Sequence, residues 1–156
     1  MATNESGFKK EFRDALEKSY GHALTLWTNN DMFRCGLPDF SALYEGKFFA
    51  IEAKFVKEAP ARDASKVLSH ELTATQAAFL NRVETSEGYG VILIGFSDIA
   101  VAVPFSQWGA LDHDPNTNIT LERVKFLSGK NLSFPKKNGI WDVSGFFMKI
   151  LLGRKS

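Results

Sequence analysis

Apolar side chains recur along the chain in two rhythms, and each rhythm predicts a different kind of element. Phe8, Phe12, Ala15 and Leu16 fall at i, i+4, i+7 and i+8, one buried stripe of a helix over residues 5–20 that Gly21 ends. Residues 23–28 read as a first strand, and 29–37 as a polar, glycine-containing connection. Residues 40–44 and 47–56 read as two strands joined at Glu45-Gly46 into an antiparallel hairpin. Residues 57–70 are polar and read as a loop. Leu72, Phe79, Leu80 and Val83 mark one side of a helix over 72–83. The apolar run 90–96 has the pattern of a strand buried on both faces. A further strand over 99–103 stops at Pro104, which cannot donate to a ladder. Residues 105–110 predict a helical turn and 112–118 a loop. Residues 141–152 predict a helix that Gly145 weakens. A helix set between two groups of strands predicts an α/β fold, a central mixed β-sheet flanked by helices.

Composition narrows this picture. A length of 156 residues suits one domain over 1–156, and an apolar fraction of 44% can build a core. The start, residues 1–10, is polar, and no apolar run approaches the roughly 18 residues of a membrane helix. The expectation is an intracellular, cytoplasmic protein with no membrane partner. The single cysteine, Cys35, excludes an internal disulfide and has no histidine beside it in sequence, so it reads as structural. His22, His70 and His113 lack the spacing of zinc ligands. No glycine-rich phosphate loop is present, so no nucleotide cofactor is expected.

The net charge is only +1, but its distribution is uneven. Residues 121–156 carry 8 Lys/Arg against 2 Asp/Glu, a net of +6; residues 1–120 carry 11 against 16, a net of −5. An acidic body could hold a metal and the basic part 112–156 could meet phosphate, or that part could be a solvated tail.

The chemistry gathers on the predicted hairpin. Gly36-Leu37-Pro38-Asp39 opens its first strand, and Ile51-Glu52-Ala53-Lys54 lies on its second. Glu52 and Lys54 are two apart, so they leave one face of the strand, while Ile51, Ala53 and Phe55 take the other. The hairpin can return Asp39 to Glu52. Two carboxylates offer hard oxygen ligands to Mg²⁺, which keeps several waters and also binds substrate phosphate. A bound metal makes a nucleophile of water and offsets charge in phosphodiester hydrolysis. A neighbouring lysine can orient that water or stabilise the phosphorane. By itself, an E-x-K triplet also fits an incidental pair on an exposed hairpin.

Pro38-Asp39 followed by Glu52-Ala53-Lys54 resembles the signature of the PD-(D/E)XK nuclease superfamily. Glu11, in GFKKEFRDAL, resembles the helix carboxylate of that family, and Gln76, in ELTATQAAFL, resembles its glutamine on the helix after the E-x-K strand. Over roughly residues 5–100 the chain is similar to Holliday-junction resolvases of the archaeal and RecU types and to VRR-NUC nucleases. The resemblance implies a restriction-endonuclease-like core. It also implies catalysis by Asp39, Glu52, Lys54 and Gln76, and a metal shell of Glu11, Asp39, Glu52 and Ala53 holding Mg²⁺, with Mn²⁺ as a substitute. Glu5 projects near the same stripe as Glu11 and is the other candidate on that helix. Two roles stay open for Gln76. It completes a capping box with Thr73, and it lies on the helix side facing the sheet.

The resemblance implies a DNA endonuclease acting on branched DNA such as Holliday junctions, working as a homodimer because two symmetric strands are cut. Flap, nicking or end-directed cleavage, and a non-catalytic nucleic-acid-binding module, are the competing readings. A small stand-alone nuclease would suit a phage or mobile element. Arg34 before the motif, Lys57, Arg62 and Lys66 after it, and Lys9, Lys10 and Arg13 on the first helix are the candidate DNA contacts. Lys125, Lys130, Lys136 and Lys137 form a further basic group. The apolar C-terminal segment either closes the core or makes a dimer contact.

Overall fold

The structure, a computed structural model, describes residues 4–29, 37–56, 72–112 and 132–153. The expected DNA contacts Arg34, Lys57, Arg62 and Lys66 lie outside the described residues, as do Cys35, His70, His113, Lys125 and Lys130.

Helix α1 (Glu5–Tyr20) begins at Asn4, whose side chain accepts the Gly7 N–H, and ends at Gly21, whose φ of +53° only glycine adopts cheaply. A short 3₁₀ turn leads into β1 (Leu24–Thr28). Strands β2 (Phe40–Tyr44) and β3 (Lys47–Phe55) form the expected hairpin, with Tyr44 opposite Lys47 across the two-residue turn Glu45-Gly46. Both turn residues have positive φ, as the tight hairpin turn that matches strand twist requires. Helix α2 (Ala74–Thr85) follows, then β4 (Tyr89–Gly95), β5 (Ile99–Pro104) and α3 (Phe105–Asp112). The chain closes with β6 (Ser133–Lys137), β7 (Ile140–Trp141) and α4 (Phe146–Gly153).

The strands form a seven-stranded mixed sheet in the order β1-β2-β3-β4-β5-β6-β7. The β3–β4 pair is parallel, with α2 as its crossover; the other pairs described are antiparallel. Helices α1 and α4 cover one face. Phe8, Phe12 and Leu16 pack there with Phe146, Phe147 and Ile150, and with Ile51 and Ala53 of β3. Helices α2 and α3 cover the other face, where Leu80, Val83 and Trp108 meet Ala50, Ile92, Ile94 and Val101. Strands β3 and β4 are therefore buried on both sides, which explains the continuous apolar run of β4; in β3 the run is broken by the buried Glu52 and Lys54.

The C-terminal part corrects the sequence expectation. A helix over 141–152 is replaced by a β-hairpin and a shorter helix. Asn138-Gly139, both at positive φ, makes a second two-residue turn, and Trp141 pairs with Lys136. Asp142 then accepts from the Ser144 N–H and hydroxyl, and Gly145, at φ +68°, turns the chain into α4. Of the two roles expected for this segment, core closure is the one seen: Phe146, Phe147 and Ile150 are buried in the core, while Met148 and Leu152 are exposed.

One close approach carries a prediction. A Cβ at Gly95 would stand 2.5 Å from Cε1 of the fully buried Phe8, whose ring meets Phe12 and Phe55 at a tilt and Trp141 edge-on. Gly95→Ala is expected to overpack this seam and cost about 1–3 kcal/mol. Thermal unfolding checks it; an unchanged melting temperature would show that α1 shifts freely.

Candidate active site

Strand lengths create the site. Strand β3 runs to Phe55, but β2 begins at Phe40, paired with Ile51, so β3 beyond Ile51 outruns its antiparallel partner. Pro38, without an N–H, cannot continue the ladder. The Asp39 side chain takes its place: Oδ2 accepts the Ala53 N–H at 2.8 Å. In a strand, the N–H and C=O of one residue point to the same edge, so the Ala53 carbonyl also faces Asp39. An alanine can offer a cation nothing else.

Asp39 is fixed from its other side by Asn29, directly after β1. The Asn29 N–H donates to the Asp39 carbonyl at 3.0 Å, and its Nδ2 donates to the Pro38 carbonyl at 2.8 Å and to the Ser41 Oγ at 2.9 Å. Sequence reasoning assigned Asn29 only to a polar connection. An Asn ending one strand, when the next opens on Pro-Asp, is the signal that would have singled it out.

Strand parity places Glu52 and Lys54 on the α2 face, opposite the α1 face taken by Ile51 and Ala53. Both are buried, at 3% and 5% exposure. Lys54 Nζ lies 3.8 Å from Glu52 Oε1, an ion pair too long for a hydrogen bond. Gln76 Nε2 donates to that same Oε1 at 3.0 Å. The Gln76 Oε1 meanwhile accepts the Thr73 N–H at 2.9 Å, and Thr73 Oγ1 accepts the Gln76 N–H at 3.1 Å. The two roles open to Gln76 are thus compatible, one per amide atom. The cap also fixes the amide orientation, since an N–H can only donate and so the oxygen must face Thr73.

Gln76→Ala is expected to lose both roles: about 1 kcal/mol from the cap and about 1–3 kcal/mol from leaving the buried Glu52 oxygen without its donor. Thr73→Ala should lose only the first. Unfolding midpoints of the pair check this; equal destabilisation by both variants would reduce Gln76 to a cap.

Electrostatically the site is incomplete as it stands. Burial, then the charge of Asp39, push the Glu52 carboxyl up to about 8, partly opposed by Lys54 and Lys9. Glu52 Oε2 is buried without a hydrogen-bond partner among the described residues. A buried carboxylate that shares its space with a second one, and keeps an oxygen unpartnered, suits a hard divalent cation. Asp39 and Glu52, with the Ala53 carbonyl at the same edge, are the donors present. No group of three or more His, Cys, Asp or Glu poised for a metal occurs among the described residues. Two carboxylates agree with Mg²⁺, which relies on waters and phosphate for the rest of its shell.

The first helix does not present Glu11 to this trio. Lys9 and Glu11 flank the buried stripe of α1 on opposite sides, so they face opposite edges of the sheet. Glu11 meets Lys136 of β6, whose Nζ is 2.9 and 3.1 Å from its two oxygens and 5.3 Å from the Trp141 ring centre. Lys136, expected in a basic surface group, is thereby turned inward. Lys9 meets Asp39 instead, with Nζ 2.8 Å from Oδ1 and 3.3 Å from Glu5 Oε2. Burial lowers the Lys9 ammonium's pKa, but its hydrogen bonds and charge attraction to Asp39 and Glu5 outweigh this and leave it raised. Lys10 and Arg13 share Asp14 at 3.4 Å each, and with Glu5, Lys9, Thr28 and Asp39 they line a cleft of about 370 Å³. Lys137 is exposed and pairs with Asp142.

Among solved structures, the chain is similar to Hjc from Archaeoglobus fulgidus, a Holliday junction resolvase from an archaeal hyperthermophile. The TM-score is 0.51 and the identity 15%, covering 75% of this chain and 91% of that one. The likeness is one of fold, the restriction-endonuclease-like core of a mixed sheet with flanking helices. No protein-family model and no curated protein matches the chain.

Proposed function

We propose that the chain is a metal-dependent DNA endonuclease that hydrolyses phosphodiester bonds in branched DNA such as Holliday junctions. The observation that carries the reading is the meeting of Asp39, Glu52, Lys54 and Gln76 where β3 outruns β2. The fold shared with a resolvase supports it. Asp39 and Glu52, with the Ala53 carbonyl, would hold Mg²⁺ or Mn²⁺. The bound ion would supply an activated water and offset charge on the scissile phosphate. Lys54, buried beside Glu52, is placed to orient the attacking water or to stabilise charge developing on the phosphoryl oxygens. Gln76 holds Glu52 in position. Lys10 and Arg13, which line the same cleft as Asp39, would take flanking phosphates.

Resolution of a junction needs two symmetric cuts, so the reading entails a homodimer; light scattering after size exclusion tests this. No helix among the described residues is long and apolar enough to cross a membrane.

The substrate is tested by offering a four-way junction, a flap and a linear duplex under Mg²⁺. Preferential paired incision of the junction is expected. Faster cutting of flaps or ends would keep the chemistry and replace the substrate.

A further inference from the structure

The contact between Lys9 and Asp39 has a use beyond holding α1 to the sheet. Asp39 Oδ2 is committed to the Ala53 N–H, and Lys9 takes Oδ1 at 2.8 Å. A divalent cation entering between Asp39 and Glu52 needs an Asp39 oxygen. An ammonium at that distance competes for the oxygen and opposes the cation by charge repulsion, more directly than Lys54, which stands 3.8 Å from Glu52. Metal binding therefore favours displacement of the Lys9 ammonium. Its stem is partly exposed, and Glu5, one turn earlier on α1, already shares it at 3.3 Å. The space into which it can swing is the cleft lined by Lys10 and Arg13, where a DNA phosphate would lie.

We infer that Lys9 is a resident counter-cation of the site: it occupies Asp39 in the absence of metal, yields it to a divalent cation, and passes its own charge to a DNA phosphate in the cleft. This rests on the metal-nuclease reading above. Metal and DNA then bind cooperatively, because each favours the same displaced position of Lys9, and the coupling is reciprocal. Lys9 is a positioning residue here, not a metal ligand.

Calorimetric titration of Mn²⁺ into the full chain, without DNA, compares the wild type with Lys9→Met and Lys9→Gln. Both variants are expected to bind Mn²⁺ about 10-fold more tightly, a size typical of coupled sites. The titrations are then repeated with and without a short duplex bound, in chains that all carry Lys54→Met so that the DNA stays intact and the coupling is read in one background. DNA should strengthen Mn²⁺ binding several-fold when Lys9 is present, and distinctly less when it is replaced. Using two replacements guards against one that folds poorly, and circular dichroism identifies it. Equal Mn²⁺ affinity in wild type and variants, or equal coupling to DNA, would overturn the inference and leave the nuclease reading standing. No Mn²⁺ binding by any of these chains would remove both.

Discussion

Glutamine at position 52 is expected to raise the melting temperature of the metal-free protein while abolishing metal-dependent cleavage of DNA. The two effects have one cause. Glu52 is buried, crowded by Asp39, and holds its proton up to about pH 8, against an ordinary value of 4.5. Its folded-state pKa lies above the unfolded one, so the folded chain binds the proton more tightly. Stability from this group is complete below about pH 4.5 and is lost progressively as pH rises towards 8. At pH 7 the cost is on the order of 3 kcal/mol. Glutamine mimics the protonated acid and removes that cost. For a chain of this size the gain corresponds to a rise of about 6–12 °C, at roughly 2–4 °C per kcal/mol. The same change removes a donor from the proposed metal site, and losing several kcal/mol of transition-state stabilisation is expected to lower cleavage by about 10³-fold or more. Scanning calorimetry in chelator from pH 5 to 9, beside a cleavage assay, checks both halves. An E52Q melting curve with the wild-type pH dependence would show that Glu52 is not the strained group.

Lys54→Met should separate binding from chemistry. The lysine side chain is almost fully enclosed, and Met has similar length, so the replacement keeps the packing and removes the charge. Metal binding by Asp39 and Glu52 should persist or tighten once a neighbouring cation is gone. Cleavage should fall by about 10²–10⁴-fold, the range lost when a group acting on the proton or on developing charge is removed. At pH 7 folding stability should change little, because Glu52 keeps its proton up to about pH 8 and is not left as an unpaired buried charge. Calorimetry with Mn²⁺ and single-turnover cleavage measure the two effects separately; parallel losses would make Lys54 a structural residue.

The parts of this site that local rules govern were legible in the sequence. Period-2 alternation places Glu52 and Lys54 on one face, and a two-residue turn brings Asp39 back to β3. The 3.6-residue stripe of α1 was equally plain. What the sequence did not disclose is which flank of that helix meets which edge of the sheet. Glu11 and Lys9 sit on either side of one stripe, and only the placement of β6 decides that Glu11 goes to Lys136 and Lys9 to Asp39. The carboxylate expected at the site is thus elsewhere, and a cation stands there. Asn29 was hidden for a similar reason: its three hydrogen bonds reach residues nine to twelve positions away across a strand pair. The hairpin at Asn138-Gly139 was missed differently. The turn signal was present, but the strongly apolar stretch that follows suggested a helix from 141, and Gly145 at positive φ delays it to Phe146.

The most direct test of the central claim is a single cleavage measurement. Wild-type protein and the K54M chain are incubated with DNA under Mg²⁺ and under chelator. Metal-dependent scission by the wild type, lost in chelator and lost in K54M, is the expected result. DNA left intact by the wild type under both Mg²⁺ and Mn²⁺, or cut equally well by K54M, would contradict the assignment of Asp39, Glu52 and Lys54 as a nuclease site.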